Sequence, residues 1–374
     1  MQIKQKIMVF IKKETVLCVA LFLALTSMLF VVPDREYLSY IDYRVLAILF
    51  SLMVVMAGYQ QTGVFSDVAH ALLKRAKNLR ILAYLMVFMC FFFSMLITND
   101  VALLTFVPFT LLLLSLSGME EKAVTIVVYE TIAANLGSMF TPVGNPQNLY
   151  LFTASKMSIG EFFSITAPIT GVSALLLLIS CISIPRLPVT LQPEEKEIQK
   201  RSSLELIFYT IVFLLSLLAV LNTIPVQVPF FIALLGTLFI GRKVLLKVDY
   251  CLLLTFVAFF VFIGNVGRIP VIRDWITQVL VGREMILSFL ASQVISNVPA
   301  AVLLSGFTKE YAALIRGTDI GGLGTLIASL ASLISFKCFV KEFPQKKGKF
   351  LLDFTLVNTL YAIILLGFTT LIVS

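Results

Sequence analysis

Most polar residues of this chain lie between apolar runs, but a few lie inside them, and those are where chemistry could occur. Thr98, Asn99 and Asp100 join two apolar arms, Ser296 and Asn297 join two others, and ANLGSMFTPVGNPQNLY, ending at Tyr150, interrupts a third run. Hydroxyls and amides at helix ends can hold an ion, because unpaired backbone groups and the helix dipole are concentrated there. Pro142 and Pro146 each remove a backbone donor and displace the carbonyl four residues earlier. The third run is therefore expected to unwind from Thr141 to Asn148, offering carbonyls to a hard cation such as sodium, or amides to an oxyanion. Few acids lie deep in the chain. Asp100, Glu130 and Asp319 are thus candidate coupling groups, able to bind a cation or carry a proton, with an ion pair between Asp319 and Arg316 as the plain alternative.

The elements that must position these residues belong to a membrane. Of 374 residues, 59% are hydrophobic and only 13% charged, with mean hydropathy +0.99, whereas soluble domains carry about 25% charge. Apolar runs of roughly 17 to 22 residues are long enough to cross a ~30 Å hydrocarbon layer. The spans expected are Val16–Val32, which follows a basic start and is read as a span and not a signal peptide, Tyr43–Tyr59, Phe162–Ile184, Leu204–Leu221, Val228–Ile240, Tyr250–Val266 and Leu351–Val373. Two interrupted helices, Lys122 to Tyr150 and beyond and Tyr311–Phe339, bring the expected crossings to nine. Val64–Arg80 and Arg268–Val281 read as amphipathic pieces in the interface, the first carrying the only histidine, His70, in a solvated setting and the second Trp275 as an anchor.

The arms Met285–Ile295 and Val298–Thr308 are too short to cross, since 11 residues reach only ~17 Å at 1.5 Å per residue. They read as a re-entrant hairpin, tolerated at membrane depth only where protein or water surrounds its tip. The longer arms Ile81–Ile97 and Val101–Ser117 form the matching first hairpin.

The two halves correspond. IDYRVLAILF from Ile41 and VDYCLLLTFV from Val248 each open a span, an interfacial piece and a hairpin follow, and the two breaks align with Gly137 on Gly321 and Thr141 on Thr325. The reading is an all-α polytopic membrane protein made of two inverted-topology repeats, each with a re-entrant hairpin and a broken helix. Residues 1–40 form an N-terminal span, 41–190 the first repeat, 191–247 a charged linker with connecting spans, and 248–374 the second repeat. Of the 29 Lys and Arg residues, 21 fall on one side and eight on the other, which puts the N-terminus in the cytoplasm and, with nine crossings, the C-terminus outside. The net charge of +8 is thus a topology signal and no argument for nucleic acid. The bilayer is the first partner expected, and a plasma (inner) membrane the location.

The hairpin tips TNDVALLTFVP and SNVPAAVLL and the break GSMFTPVGNPQN resemble those of the ion transporter superfamily, which includes citrate transporters, divalent-anion/sodium symporters, arsenite-pump membrane subunits and a sodium/proton antiporter group. The resemblance covers nearly the whole chain. It implies a secondary transporter moving a small anion, such as citrate, a dicarboxylate or an inorganic oxyanion, coupled to sodium or protons and often dimeric. It places substrate among Thr98, Asn99, Thr141, Pro142, Ser296, Asn297 and Thr325, and a sodium site among Thr98, Asn99, Asp100, Gly144, Asn145 and Asn148. Symporter tips carry Ser-Asn-Thr where this chain has Asp100 and Val298, and the second break has Leu326 and Leu330 in place of Pro142 and Pro146. Those departures point toward arsenite efflux, with an ATPase subunit as partner in that case, or sodium/proton exchange, and place the principal cation in the first repeat.

No nucleotide-binding GxxxxGK[ST] motif is present. A peripheral histidine and five cysteines in separate segments (Cys18, Cys90, Cys181, Cys251, Cys338) supply no catalytic or metal constellation, so the chain is expected not to be an enzyme.

Overall fold

The computed structural model describes residues 14–63, 77–188 and 203–373. Among these, the regular elements are all helices, and the one β-type pairing is an isolated antiparallel bridge between Asn78 and Pro188. Most of the expected interfacial helix with His70 and much of the charged linker lie outside the described residues.

The first half runs α1 (Thr15–Ser27), the short α2 (Tyr37–Tyr40), α3 (Tyr43–Thr62), a hairpin of α4 (Leu79–Ile97) and α5 (Asn99–Leu116), a broken pair α6 (Ala123–Ser138) and α7 (Pro146–Ser155), and α8 (Ile159–Ile182). After α9 (Ser203–Val220) and α10 (Gln227–Ile240) the plan recurs: α11 (Tyr250–Gly267), α12 (Pro270–Leu280), a hairpin of α13 (Glu284–Ile295) and α14 (Asn297–Ser305), a broken pair α15 (Tyr311–Ile320) and α16 (Leu330–Glu342), and α17 (Lys347–Val373).

Local chemistry explains the boundaries. Asp42 and Asp249 cap α3 and α11 by accepting the backbone N–H of Val45 at 3.0 Å and Leu252 at 2.9 Å, from nearly identical backbone angles. Ser158 and Glu161 form a reciprocal capping box at the start of α8. Asn145 caps α7, and Pro146 occupies the first helical position, where its missing N–H is not needed. The first span ends earlier than its apolar run: α1 stops at Ser27, and residues 28–31 continue as turns hydrogen-bonded to the carbonyls of Ala24, Thr26 and Ser27. Thr26 and Ser27 turn their hydroxyls back onto the preceding turn, and Ser27 receives the amide of Asn265 at 2.9 Å.

Seven helices are each long and apolar enough to cross a membrane, or eight if α12 and α13, bent by 109°, count as one broken span. The seven include both arms of the first hairpin, while the halves of the two broken helices, at 10 to 16 residues, fall short individually. The nine crossings counted on the sequence differ from this set for that reason, and because α1, at 13 residues, and α10, at 14, are too short to be counted as spans. Burial separates inner from outer helices. The spanning window of α3 is 67% buried, that of α9 only 28% and that of α17 only 33%. Since α9 and α17 expose leucine and isoleucine along their lengths, that outer surface suits lipid and not water.

The packing is crosswise. In each hairpin the first arm lies on the first half-helix of its own repeat, α4 on α6 and α13 on α15. The second arm lies on the second half-helix of the other repeat, α5 on α16 and α14 on α7. All four half-helix ends therefore meet in one place.

Candidate functional site

Each hairpin turns on one residue. Thr98 (φ 73°, ψ 151°) separates α4 from α5, and Ser296 (φ 74°, ψ 153°) separates α13 from α14. Positive φ is costly for any residue with a Cβ and unusual for a β-branched one. The adjacent break holds each tip in this shape. The N–H of Asn99 donates to the carbonyl of Gly144 at 3.2 Å, and that of Asn297 to the carbonyl of Ala328 at 2.9 Å. A second bond ties each break to the first arm: the Thr141 hydroxyl donates to the Met95 carbonyl, and the Thr325 hydroxyl to the Gln293 carbonyl at 3.1 Å. The hydroxyls of Thr141 and Thr325 are thus spent on backbone, and Thr325 lies exposed, away from the buried centre.

The two breaks have different interiors. In the first, Pro142 is buried, Asn148 Nδ2 donates to the Met139 carbonyl at 3.2 Å, and Asn145 Nδ2 donates to Ser138 Oγ at 3.3 Å. The second has no proline. There Gly324 takes φ 104°, and the Gln293 side chain lies across the unwound backbone. Its Nε2 donates to the carbonyls of Gly321 at 3.0 Å and Leu323 at 2.9 Å, and its Oε1 accepts the N–H of Thr325 at 3.0 Å. Sequence reasoning missed Gln293; the available signal was an amide in an apolar arm three residues before the tip.

The breaks also reach across to each other. Asn145 Nδ2 and Asn148 Nδ2 donate to the Asp319 carboxylate at 3.4 and 3.0 Å. At the matching positions, Ser329 Oγ donates to Asn135 Oδ1 at 3.0 Å and Asn135 Nδ2 donates to Ser332 Oγ at 3.2 Å. Aligning Gly137 with Gly321 also pairs Asn135 with Asp319, Asn145 with Ser329 and Asn148 with Ser332. Asn99 Nδ2 joins through Asn135 Oδ1 at 3.0 Å. All of these residues are buried, and Asn148 is fully so. Asn135 was legible only as one more polar residue in the interrupted run.

The other expected residues stand apart. Asp100, partly exposed, lies in the first turn of α5, where the helix dipole favours a carboxylate, and its backbone N–H donates to Asn99 Oδ1 at 3.0 Å. Its side chain forms no hydrogen bond to the described residues. Glu130 is fully buried on α6, but it faces α5, where Oε1 accepts the Thr110 hydroxyl and Oε2 has no partner. Asp319 does not pair with Arg316, although the two are one turn apart, because its carboxylate turns inward to the two asparagine amides; the Nε of Arg316 is left without a partner. Asn297 sits over Gly322, where an added Cβ would come 3.0 Å from its Nδ2. No Lys or Arg bonds to any of these residues within the described chain.

A cavity of about 610 Å³ opens at the start of α3, lined by Tyr40, Asp42, Arg44, Tyr150 and Phe260 among others. A separate, almost wholly apolar groove along α4, lined by Tyr84, Phe88 and Phe92, has its one hydroxyl donated to the Leu178 carbonyl and fits the lipid-facing surface.

A helical chain with two tip-and-break junctions joined at a buried polar centre agrees with what sequence comparison finds. The family model described as citrate transporter matches residues 7–315. The chain belongs to the citrate transporter family. Among similar proteins, an uncharacterized transporter of Methanocaldococcus jannaschii is 34% identical over 352 residues, covering 92% of this chain and 94% of that protein. The inner membrane protein YbiR of Escherichia coli is 31% identical over 316 residues, covering 82% and 83%. The silicon efflux transporter LSI3 of Oryza sativa is 30% identical over 151 residues, covering 40% of this chain and 30% of its own length. This citrate transporter family member is an integral membrane transporter.

Proposed function

We propose that the chain is a secondary active transporter that carries a small anion, such as citrate, a dicarboxylate or an inorganic oxyanion, coupled to sodium or protons. The observation that carries this reading is the repeated junction of hairpin tip and broken helix, made by Asn99 with Gly144 and by Asn297 with Ala328. Two repeats inverted across the bilayer would expose such a pair alternately to either side, which is the construction secondary transporters use. Substrate would sit against the tips at Thr98, Asn99, Ser296 and Asn297, in a plasma (inner) membrane with the N-terminus cytoplasmic and the C-terminus outside, in a chain that can pair as a homodimer.

A second reading is efflux of an uncharged or weakly acidic metalloid such as arsenite, or sodium/proton exchange. It is favoured by the buried Asp319 carboxylate, whose hydrogen-bonding companions are amides, since a fixed negative charge opposes a polyanion. The silicon efflux relative supports the same direction.

Reconstitution into proteoliposomes, with citrate, succinate, sulfate and arsenite tested under imposed sodium or pH gradients, separates the two. Gradient-driven uptake of a carboxylate or oxyanion is expected. Flux confined to arsenite, or exchange of sodium for protons alone, selects the second reading, and no gradient-driven flux of any of these would overturn both.

A further inference from the structure

Three buried or half-buried acids compete for the coupling ion, and their surroundings differ. Asp100 is partly exposed and its carboxylate forms no hydrogen bond within the described chain. Glu130 has one hydroxyl partner amid apolar side chains, Thr110 on α5. Asp319 alone lies where half-helices from both halves of the chain end.

Asp319 is the penultimate residue of α15, and α6 ends at Ser138 beside the same centre. Both helices direct the negative ends of their dipoles toward this point, which favours a cation. From the first break, Asn145 and Asn148 turn their amides to the Asp319 carboxylate at 3.4 and 3.0 Å. The Oδ1 of that same Asn148 amide is buried and has no hydrogen-bond partner, in a residue with no exposed surface. An orphaned carbonyl-type oxygen beside a carboxylate, both inside protein, is an arrangement a buried polar group ordinarily avoids, and a hard cation satisfies both oxygens at once. One carboxylate balances one positive charge, and no group of three or more Asp, Glu, His or Cys occurs among the described residues, so the donor set suits a monovalent ion and not a divalent one.

We propose that Asp319 and the Asn148 Oδ1 atom hold a sodium-sized monovalent cation at a single site shared by the two repeats. The first-repeat tip, with Asp100, is then not the place where this ion binds. The lopsidedness is built into the sequence: at the matching position the first repeat has Asn135, an amide whose oxygen is already occupied by Asn99 and Ser329. The centre thus has one ionic site where its pseudo-symmetric plan could have had two. The inference rests on the transport reading for its purpose, but not for its test.

The test is the apparent melting temperature of the purified full-length chain in detergent at fixed pH and ionic strength. NaCl or LiCl is titrated against choline chloride, with KCl as a further arm. A saturable rise with sodium or lithium is expected for the wild type. Asp319→Asn should abolish it, Asn148→Leu should move its midpoint at least tenfold, and Asp319→Glu should retain it with a shifted midpoint. A cooperative melt of each variant in choline chloride establishes that it is folded. A wild type indifferent to sodium and lithium, one responding equally to potassium, or a folded Asp319→Asn with the wild-type midpoint would each overturn the site. A sodium response lost in Asp319→Asn supports the site even if no anion is carried, in which case the substrate reading alone falls. Gradient-driven flux with a sodium response unchanged in Asp319→Asn removes the site and leaves the transport reading standing.

Discussion

The two breaks do the same mechanical job with different chemistry. The first, around residues 139–145, unwinds because Pro142 and Pro146 cannot continue a helix, and close glycines let it fold tightly against the hairpin. The second, around residues 321–329, has no proline; it is opened by Gly324 at positive φ and held open from outside by the Gln293 side chain. One break is encoded where it occurs, and the other depends on a residue about thirty positions earlier. The lesson is that a proline-free interruption of a buried helix needs a donor and acceptor delivered by tertiary structure, since the freed backbone groups have no water to turn to.

The largest effect expected from this contrast is at the glycines. A Cβ on Gly137 would stand 2.0 Å from the Phe91 carbonyl oxygen, and one on Gly144 would stand 2.1 Å from the Ser138 carbonyl oxygen, both immovable backbone. Gly137→Ala and Gly144→Ala should each destabilise by roughly 3 kcal/mol or more, seen as loss of monodisperse protein on size exclusion. Gly322→Ala meets the Asn297 side-chain amide at 3.0 Å, while its nearest backbone neighbour, the Asp319 carbonyl oxygen, is at an ordinary 3.4 Å, so it should cost far less; equal damage at all three would erase the contrast.

Next comes Gln293→Leu, which strands the Gly321 and Leu323 carbonyls and the Thr325 N–H. At about 1–3 kcal/mol for buried groups left unpaired, a fall of several degrees in apparent melting temperature is expected, and an unchanged melt would mean that the second break does not depend on this side chain. Asn135→Asp keeps the acceptor for Asn99 and Ser329 but removes the donor to Ser332, and it adds a second acid to the centre. A loss of roughly 1–2 kcal/mol is expected, measured by the same melt, whereas a stabilised variant would show that the centre tolerates two carboxylates.

The smallest effect tests where the halves agree. Asp42→Ala and Asp249→Ala remove equivalent caps and should each cost ~1 kcal/mol. The two losses should match in thermal melts, and a threefold difference between them would break the correspondence at the entry to each repeat.

How much of the site was legible followed from how local its causes are. The hairpin tips, the first break and the burial of Asp319 all rest on residue types within a few positions of where they act, and each was readable. The expected Asp319–Arg316 pair was not formed, because spacing along a helix says which side chains are neighbours but not which way the helix faces. The inward turn of Asp319 is decided by Asn145 and Asn148, more than 170 residues away. Likewise the hydroxyls of Thr141 and Thr325 donate to the backbone of a hairpin arm, a contact that spacing could not show, because each lies where its break crosses that arm. Asn135 and Gln293 carried no motif of their own and became visible only through their partners.

By itself the sequence determined a helical membrane chain, since apolar run length and charge scarcity are properties of segments and need no neighbour. It also determined the duplicated order of span, hairpin and broken helix, and where the chain must turn, because prolines, caps and short polar tips act through local backbone geometry. Only the tertiary structure decided that each hairpin would lie across both repeats, that Gln293 would hold the second break, and that the deep polar residues would meet around one carboxylate. Those outcomes depend on how distant helices face one another, and a buried hydrogen bond is satisfied by whichever donor the fold delivers.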